Sequence, residues 1–331
     1  MKIMKRAISI VIVAVIMATV TITGCAGEEK PSITLVQGDW TSQVIGTEIM
    51  DQIITEQLGY ATERALLTPS LTWPTMENGD VDLATEIWLP ERQSEIQPYL
   101  DRGTLELGKE NFAGGSAWVI PRFVVYGDPA RGIEPMAPDL KSILDLKDKE
   151  EGGKGYWKLF ENPENPGLGE LVGGSPGWVD NIVDRSLILG YDLPLWRSNQ
   201  TEALMCDRMI AADKKGEPLL MFIWYPHWIF EAVDLIELTF PNPYDAAAFD
   251  TEKVKPVRSG YKSDCLTVPT VVRAGLKEDA PDVYRLVKNF SIGGDITDLM
   301  LRVDVDGEDV SVVATDWISK NQDKIDQWLG K

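Results

Sequence analysis

Three tryptophans stand beside backbone-breaking residues: Trp88 in EIWLPER, Trp178 in GGSPGWVD and Trp224 in FIWYPHW. The face of an indole carries negative quadrupole charge, so converging rings make a box for a cation that cannot donate hydrogen bonds. Each such contact contributes about 0.5–2 kcal/mol once water is excluded. A quaternary ammonium is the usual occupant. The same spacing also fits rings packed singly under loops. A fourth ring, Trp40 in GDWTSQ, stands at a strand-to-helix turn and could add a wall.

Polar groups near the rings supply the rest of the chemistry. Pro176 and Gly177 break the chain before a helix that begins near Trp178, which leaves the amides of Val179 and Asp180 as unpaired donors. A helix N-terminus of this kind attracts anions. Arg92, four residues after Trp88, reads either as a clamp for a carboxylate or as an exposed charge at a strand end. His227, the only histidine of the chain, reads either as an anchor or as a core histidine satisfied by the backbone. Asp39, Glu86 and Asp180 lie near the same positions and would suit a primary ammonium or choline.

The elements that must position these residues follow from periodicity. ITLVQG (33 to 38) reads as a buried strand, and TSQVIGTEIMDQIITEQLGY (41 to 60) as a helix ending at Gly59. VDLATEIWLP (81 to 90), WVIPRFVVYG (118 to 127) and EPLLMFIWYP (217 to 226) read as strands. WVDNIVDRSLILGY (178 to 191) and PDVYRLVKNFSI (281 to 292) read as helices, and the Gly- and Pro-rich stretch 150 to 178 as an extended loop. Such alternation predicts an α/β architecture with mostly parallel sheets, whose ligand sites lie beyond the carboxyl ends of strands.

Composition narrows the function classes. The chain has 331 residues, 44% hydrophobic and 25% charged, a length that favours two domains. Its net charge of -20 argues against nucleic acid as a partner, since phosphate binding needs a basic patch. No histidine or second cysteine stands at metal-ligand spacing from Cys206 or Cys265, so no metal and no cofactor is expected. Whether those two cysteines pair in a disulfide is left open. DVDGED (304 to 309) lacks the full calcium-loop pattern and reads as solvated charge. GGSPG (173 to 177) matches the nucleophile elbow of hydrolases, with Ser175 and His227 as the pair. Pro176 has no N–H to lend to an oxyanion hole, so no enzyme is expected.

The N-terminus reads as an export signal. MKIMKR is basic, ISIVIVAVIMATV is apolar, and ITGC ends at Cys25. Gly24 before Cys25 resembles the lipobox of bacterial lipoproteins, which implies cleavage after residue 24 and acylation of the Cys25 thiol. An uncleaved membrane anchor is the alternative. Both place the chain in the cell envelope outside the cytoplasmic membrane, with residues 26 to 32 as a tether.

The chain also resembles a known family. LGY (58 to 60), NGDVDLATEIWLP (78 to 90), PGW (176 to 178) and GEPLLMFIWYPHW (216 to 228) occur in the order and at the separations of substrate-binding proteins of glycine betaine, choline and carnitine ABC transporters, the ProX and OpuAC type. The resemblance runs from about residue 33 to the C-terminus. It implies that Trp88, Trp178 and Trp224 form a cage around trimethylammonium. The two residues after PGW, Gly and Cys in one branch, are Val179 and Asp180 here; His227, Arg92, Gln43 and Val44 fall where relatives contact the ligand carboxylate. It implies a two-lobed periplasmic-binding-protein fold of type II. One lobe takes residues 31 to 120 plus 266 to 331, and the other takes 121 to 265. Glycine betaine, proline betaine, carnitine, choline and dimethylsulfoniopropionate all remain open as ligands, and a membrane permease is the implied partner. An amino-acid receptor of the same fold is the further alternative.

Overall fold

The computed structural model describes residues 30–89, 91–149, 152–250, 253–261 and 266–331. The export signal, Cys25 and Cys265 lie outside the described residues.

In chain order the first half comprises β1 (Ile33–Gln37), α1 (Thr41–Gln52), β2 (Thr62–Leu66), α2 (Pro69–Glu77), β3 (Leu83–Ala84), α3 (Gln93–Arg102), β4 (Leu105–Pro121) and α4 (Phe123–Tyr126). Next come β5 (Gly169–Gly173), α5 (Val179–Tyr191), β6 (Leu195–Asn199), α6 (Glu202–Lys215), β7 (Leu220–Tyr225), α7 (Ile229–Ala232) and β8 (Leu235–Glu237). The C-terminal part holds β9 (Leu266–Arg273), α8 (Leu276–Asp279), α9 (Pro281–Asn289), α10 (Ile296–Asp304), α11 (Val310–Lys320) and α12 (Gln322–Leu329).

The strands run in the order β2-β1-β3-β9-β4-β7-β5-β6, with β8 paired to β4. Strand β4 serves two sheets. Its residues from Leu105 to Gly114 pair with β9, and those from Gly115 to Val119 pair with β7. The first sheet thus holds β2, β1, β3, β9 and the start of β4, and the second holds the end of β4 with β7, β5, β6 and β8. Within each sheet the βα units pair in parallel: β1 with β2 and β3, and β5 with β6 and β7. Every pairing of β4 and β9 is antiparallel. The sheets are therefore mixed rather than mostly parallel, because β9 runs against β1, β2, β3 and β4 in the first sheet and β4 runs against β5, β6, β7 and β8 in the second.

Other sequence expectations shift locally. The strand expected over 81 to 90 narrows to Leu83–Ala84, yet the amides of Ile87 and Leu89 still reach carbonyls of Pro269 and Thr267. The segment 118 to 127 is the end of β4 followed by the turn of α4. The stretch read as a loop contains β5, whose five residues are all buried. Its flanking glycines and prolines masked it. Buried apolar side chains from both sheets form one large core, and a smaller one under α2 and α3 includes Trp73, Met76 and Ile96. Among the described residues no helix is long and apolar enough to cross a membrane.

Candidate functional site

The parallel strands β1, β3, β5 and β7 point their carboxyl ends at one open cavity. Trp40 follows β1, and Trp88 follows β3. Trp178 follows β5, and Trp224 lies in β7. All four line the cavity, two from each sheet. Strand periodicity accounts for the directions: Glu86 and Trp88 are two residues apart, as are Phe222 and Trp224, and each pair shares a face.

The rings stand as walls at right angles. Trp178 meets Trp224 at 5.3 Å and 81°, Trp224 meets Trp88 at 6.5 Å and 77°, and Trp40 meets Trp178 at 5.9 Å and 81°. Trp178 is 9% exposed and Trp224 5%, so a cation among them would be largely stripped of water. Two glycines seat the walls. A Cβ on Gly174 would lie 2.1 Å from the Trp178 ring, and one on Gly114 would lie 2.8 Å from the Trp88 ring. Any larger residue would push those rings into the cavity.

Carboxylates fix the orientations of three of the rings, Trp40, Trp88 and Trp178. Asp39 accepts the indole N–H of Trp178 at 2.6 Å and the hydroxyl of Ser175 at 2.9 Å. Glu86 accepts the indole N–H of Trp40 at 2.7 Å and that of Trp88 at 3.2 Å. Burial pushes the Glu86 carboxyl up to about 7, against the lowering effect of its donors Trp40, Ser42 and Trp88.

Beyond the rings the cavity wall mixes apolar side chains such as Val36, Leu67, Ala84 and Ile87 with a few polar groups. The Arg92 guanidinium is paired with Glu95 through one terminal nitrogen, while its Nε is buried with no acceptor among the described residues. Beside it, burial and the charges of Asp180 and Asp184 push Glu91 up to about 8. The loop before α5 holds Trp178 extended at φ -78° and ψ 148°, and no side chain among the described residues caps the helix. Val179 lines the cavity as the first residue of α5, whereas the Asp180 amide is shared with its own carboxylate. Arg197 of β6 is shared by that carboxylate and by Asp184 at 2.7 Å, and it also donates to the carbonyl of Gly174 at 3.1 Å.

A family model described as the substrate binding domain of ABC-type glycine betaine transport system matches residues 31–320. The chain belongs to that family. Members of this glycine betaine and choline group are substrate-binding proteins of ABC transporters, and not enzymes. A curated relative, the glycine betaine-binding periplasmic protein OusX of Dickeya dadantii, is 23% identical over 95% of each chain. The glycine betaine/carnitine transport binding protein GbuC of Listeria monocytogenes is 34% identical over 38% of this chain and 36% of its own length. Among solved structures, ProX from Borrelia burgdorferi superposes with a TM-score of 0.69 at 20% identity, covering 90% of this chain and 96% of that one. A choline binding protein in complex with choline superposes at 0.66 and 23% identity, over 90% and 91%. These likenesses show the two-lobed fold of the family.

Within this family fold, the expected site residues are placed unevenly. Trp40, Trp88, Trp178, Trp224, Arg92, Val179, Asp180 and Gln43 all line the cavity. Two others stand away from it. His227 is 2% exposed and faces the core behind Trp224, at a ring separation of 5.0 Å. Its Nδ1 accepts the amide of Ile229, so Nε2 carries the proton and donates to Glu202 at 3.0 Å. Both ring nitrogens are thereby committed, which corrects the expectation that His227 meets a ligand. Val44 gives its amide to the Trp40 carbonyl in the first turn of α1, so that amide is not free for an anion. Ser175 is bonded to Asp39 and His227 to Glu202, so each has a partner outside a nucleophile–base pair. Asp304 accepts from Thr41 and Trp228, and Glu308 from Arg302. Cys206 is buried beside His227.

Glu91 and Arg197 belong to the site without being marked by any motif. Glu91 follows a proline and precedes an arginine, which reads as surface charge. Arg197 was signalled by Asp180 and Asp184, four apart on one face of a helix that is otherwise apolar there.

Proposed function

We propose that this chain captures a small methylated-ammonium carboxylate such as glycine betaine and presents it to the permease of an ABC importer. The observation that carries the reading is the set of right-angled tryptophan walls, drawn from both sheets, beside the buried Arg92 Nε, which has no acceptor among the described residues. The cation sits among Trp88, Trp178 and Trp224, with Trp40 closing one side. The ligand carboxylate faces Arg92 Nε and the Val179 amide, with the neutral form of Glu91 as a third donor. Asp180 lines the same end, with its carboxylate held back by Arg197. Gln43 lines the same space. The curated relatives named as glycine betaine-binding proteins support this ligand class.

Capture is coupled to closure in this account. Lobes of about 31 to 120 with 266 to 331, and 121 to 265, each bring two walls, so the cage is complete only when they meet. A ligand stabilises the closed state only by its differential affinity for it. The lipobox at Cys25 tethers the chain to the membrane on the extracytoplasmic side, where closure is read by the permease.

Choline is a second reading, favoured by Glu86 beside the rings and by a cavity that also holds Glu91. Calorimetric titration with glycine betaine and with choline separates the two. Tight glycine betaine and weak choline support the cage with its anion end; the reverse order retires the anion end, and silence with both retires the cage.

A further inference from the structure

We infer that Glu86 makes this site a receptor for methylated ammonium carboxylates that keep one N–H, such as N,N-dimethylglycine, by accepting that N–H on its Oε1. This deepens the proposed function and rests on its cage. Glu86 is 3% exposed and lines the cavity. Its Oε2 takes three donors: Trp40 Nε1 at 2.7 Å, Trp88 Nε1 at 3.2 Å and the Ser42 hydroxyl at 3.2 Å. Its Oε1 is buried and accepts none among the described residues.

A buried carboxylate oxygen without a donor is costly, and a fully methylated nitrogen cannot relieve it, because only C–H groups face outward from that cation. An ammonium with one N–H remains charged near neutral pH and supplies a charge-assisted bond, stronger than a neutral one. Its remaining methyl groups still lie on the indole faces. The other acids are not placed for this role. Asp39 is held by Trp178 and Ser175, Asp180 by Arg197, and Glu91 lies beside Arg92 at the far end. Glu86 alone among these four is bonded to two cage rings while keeping an oxygen free.

The test is calorimetric titration of the full-length chain with glycine betaine, N,N-dimethylglycine and choline, repeated on Glu86→Gln. Because that variant could loosen Trp40 and Trp88, the quantity read is the ratio of the first two affinities within each protein. In the wild type, dimethylglycine is expected to bind at least as tightly as glycine betaine. Glu86→Gln is expected to shift the ratio toward glycine betaine by about tenfold. A wild-type ratio already favouring glycine betaine, or a ratio that the variant leaves unchanged, overturns the inference while leaving the cage intact. No binding of any of the three ligands overturns the cage and this inference with it.

Discussion

Trp88 and Trp224 stand 6.5 Å apart with their planes at 77°, although one follows a strand of the first sheet and the other lies within the second. Neither sheet alone supplies this corner. The relation between the two rings therefore reports the relation between the halves of the fold, and a ligand seated against both would hold them together.

The first prediction concerns the walls. Trp88→Ala, Trp178→Ala and Trp224→Ala should each weaken glycine betaine binding more than about tenfold, equivalent to about 1.4 kcal/mol. Calorimetry on the three variants checks this. Unchanged affinity in all three would return the rings to a packing role.

A second prediction concerns the seats of the walls. Gly174→Ala puts a methyl into the Trp178 ring and should displace it, costing about 1–3 kcal/mol of stability by overpacking and about tenfold in affinity. Urea melts and titration measure the two effects separately. Retention of wild-type affinity would show that the wall tolerates the shift.

The buried arginine gives a third. Arg197→Met leaves Asp180 and Asp184 without their shared cation, and loss of one partner from a buried network costs about 3–5 kcal/mol. Denaturant unfolding at neutral pH should show that loss, with partial recovery at acid pH as the two carboxylates take up protons. A loss below about 1 kcal/mol would mean that water or backbone replaces the guanidinium.

Titration of the cavity acids gives a fourth. Burial raises Glu86 to about 7, and burial with the charges of Asp180 and Asp184 raises Glu91 to about 8. A raised folded-state pKa means that the native chain holds protons that the unfolded chain releases. That stabilising contribution is full below the ordinary carboxylate range and is lost as pH rises through 7 to 8. The melting temperature of the ligand-free protein should fall between pH 5 and pH 8.5. A bound cation favours ionised Glu86, so the stabilisation produced by choline should grow from pH 5.5 to pH 8. A choline shift that shrinks over that range would contradict a charged Glu86 beside the cation.

The two candidate anchors separate in a fifth. Arg92→Ala should weaken glycine betaine more than choline, since only the former has a carboxylate. His227→Ala should lower stability, through loss of its bonds to Glu202 and Ile229, while leaving the ratio of the two affinities near its wild-type value. A ratio changed by His227→Ala and not by Arg92→Ala would reverse the assignment.

Much of the fold was legible because local signals were strong. β1, α5 and β7 carry clear apolar patterns, and the tryptophans of the cavity stand beside Pro or Gly where strands end. What escaped reading was decided at a distance. β5 is short and lies between glycine-rich turns, so its burial comes from β6 and β7 and not from its own pattern. His227 turns inward because Glu202, 25 residues earlier, offers it a buried acceptor. Glu86 was visible as an acid near Trp88, but its selection of one oxygen for three donors depends on Trp40 and Ser42 from another strand-to-helix turn. Side-chain direction across elements has no signature in spacing.

The most direct test of the central claim is a crystal structure of the protein grown with glycine betaine. The account predicts the trimethylammonium nitrogen within about 6 Å of the ring centroids of Trp88, Trp178 and Trp224, with the carboxylate turned toward Arg92 and the Val179 amide. A ligand seated away from those rings, or with its carboxylate turned toward Glu86, would contradict it.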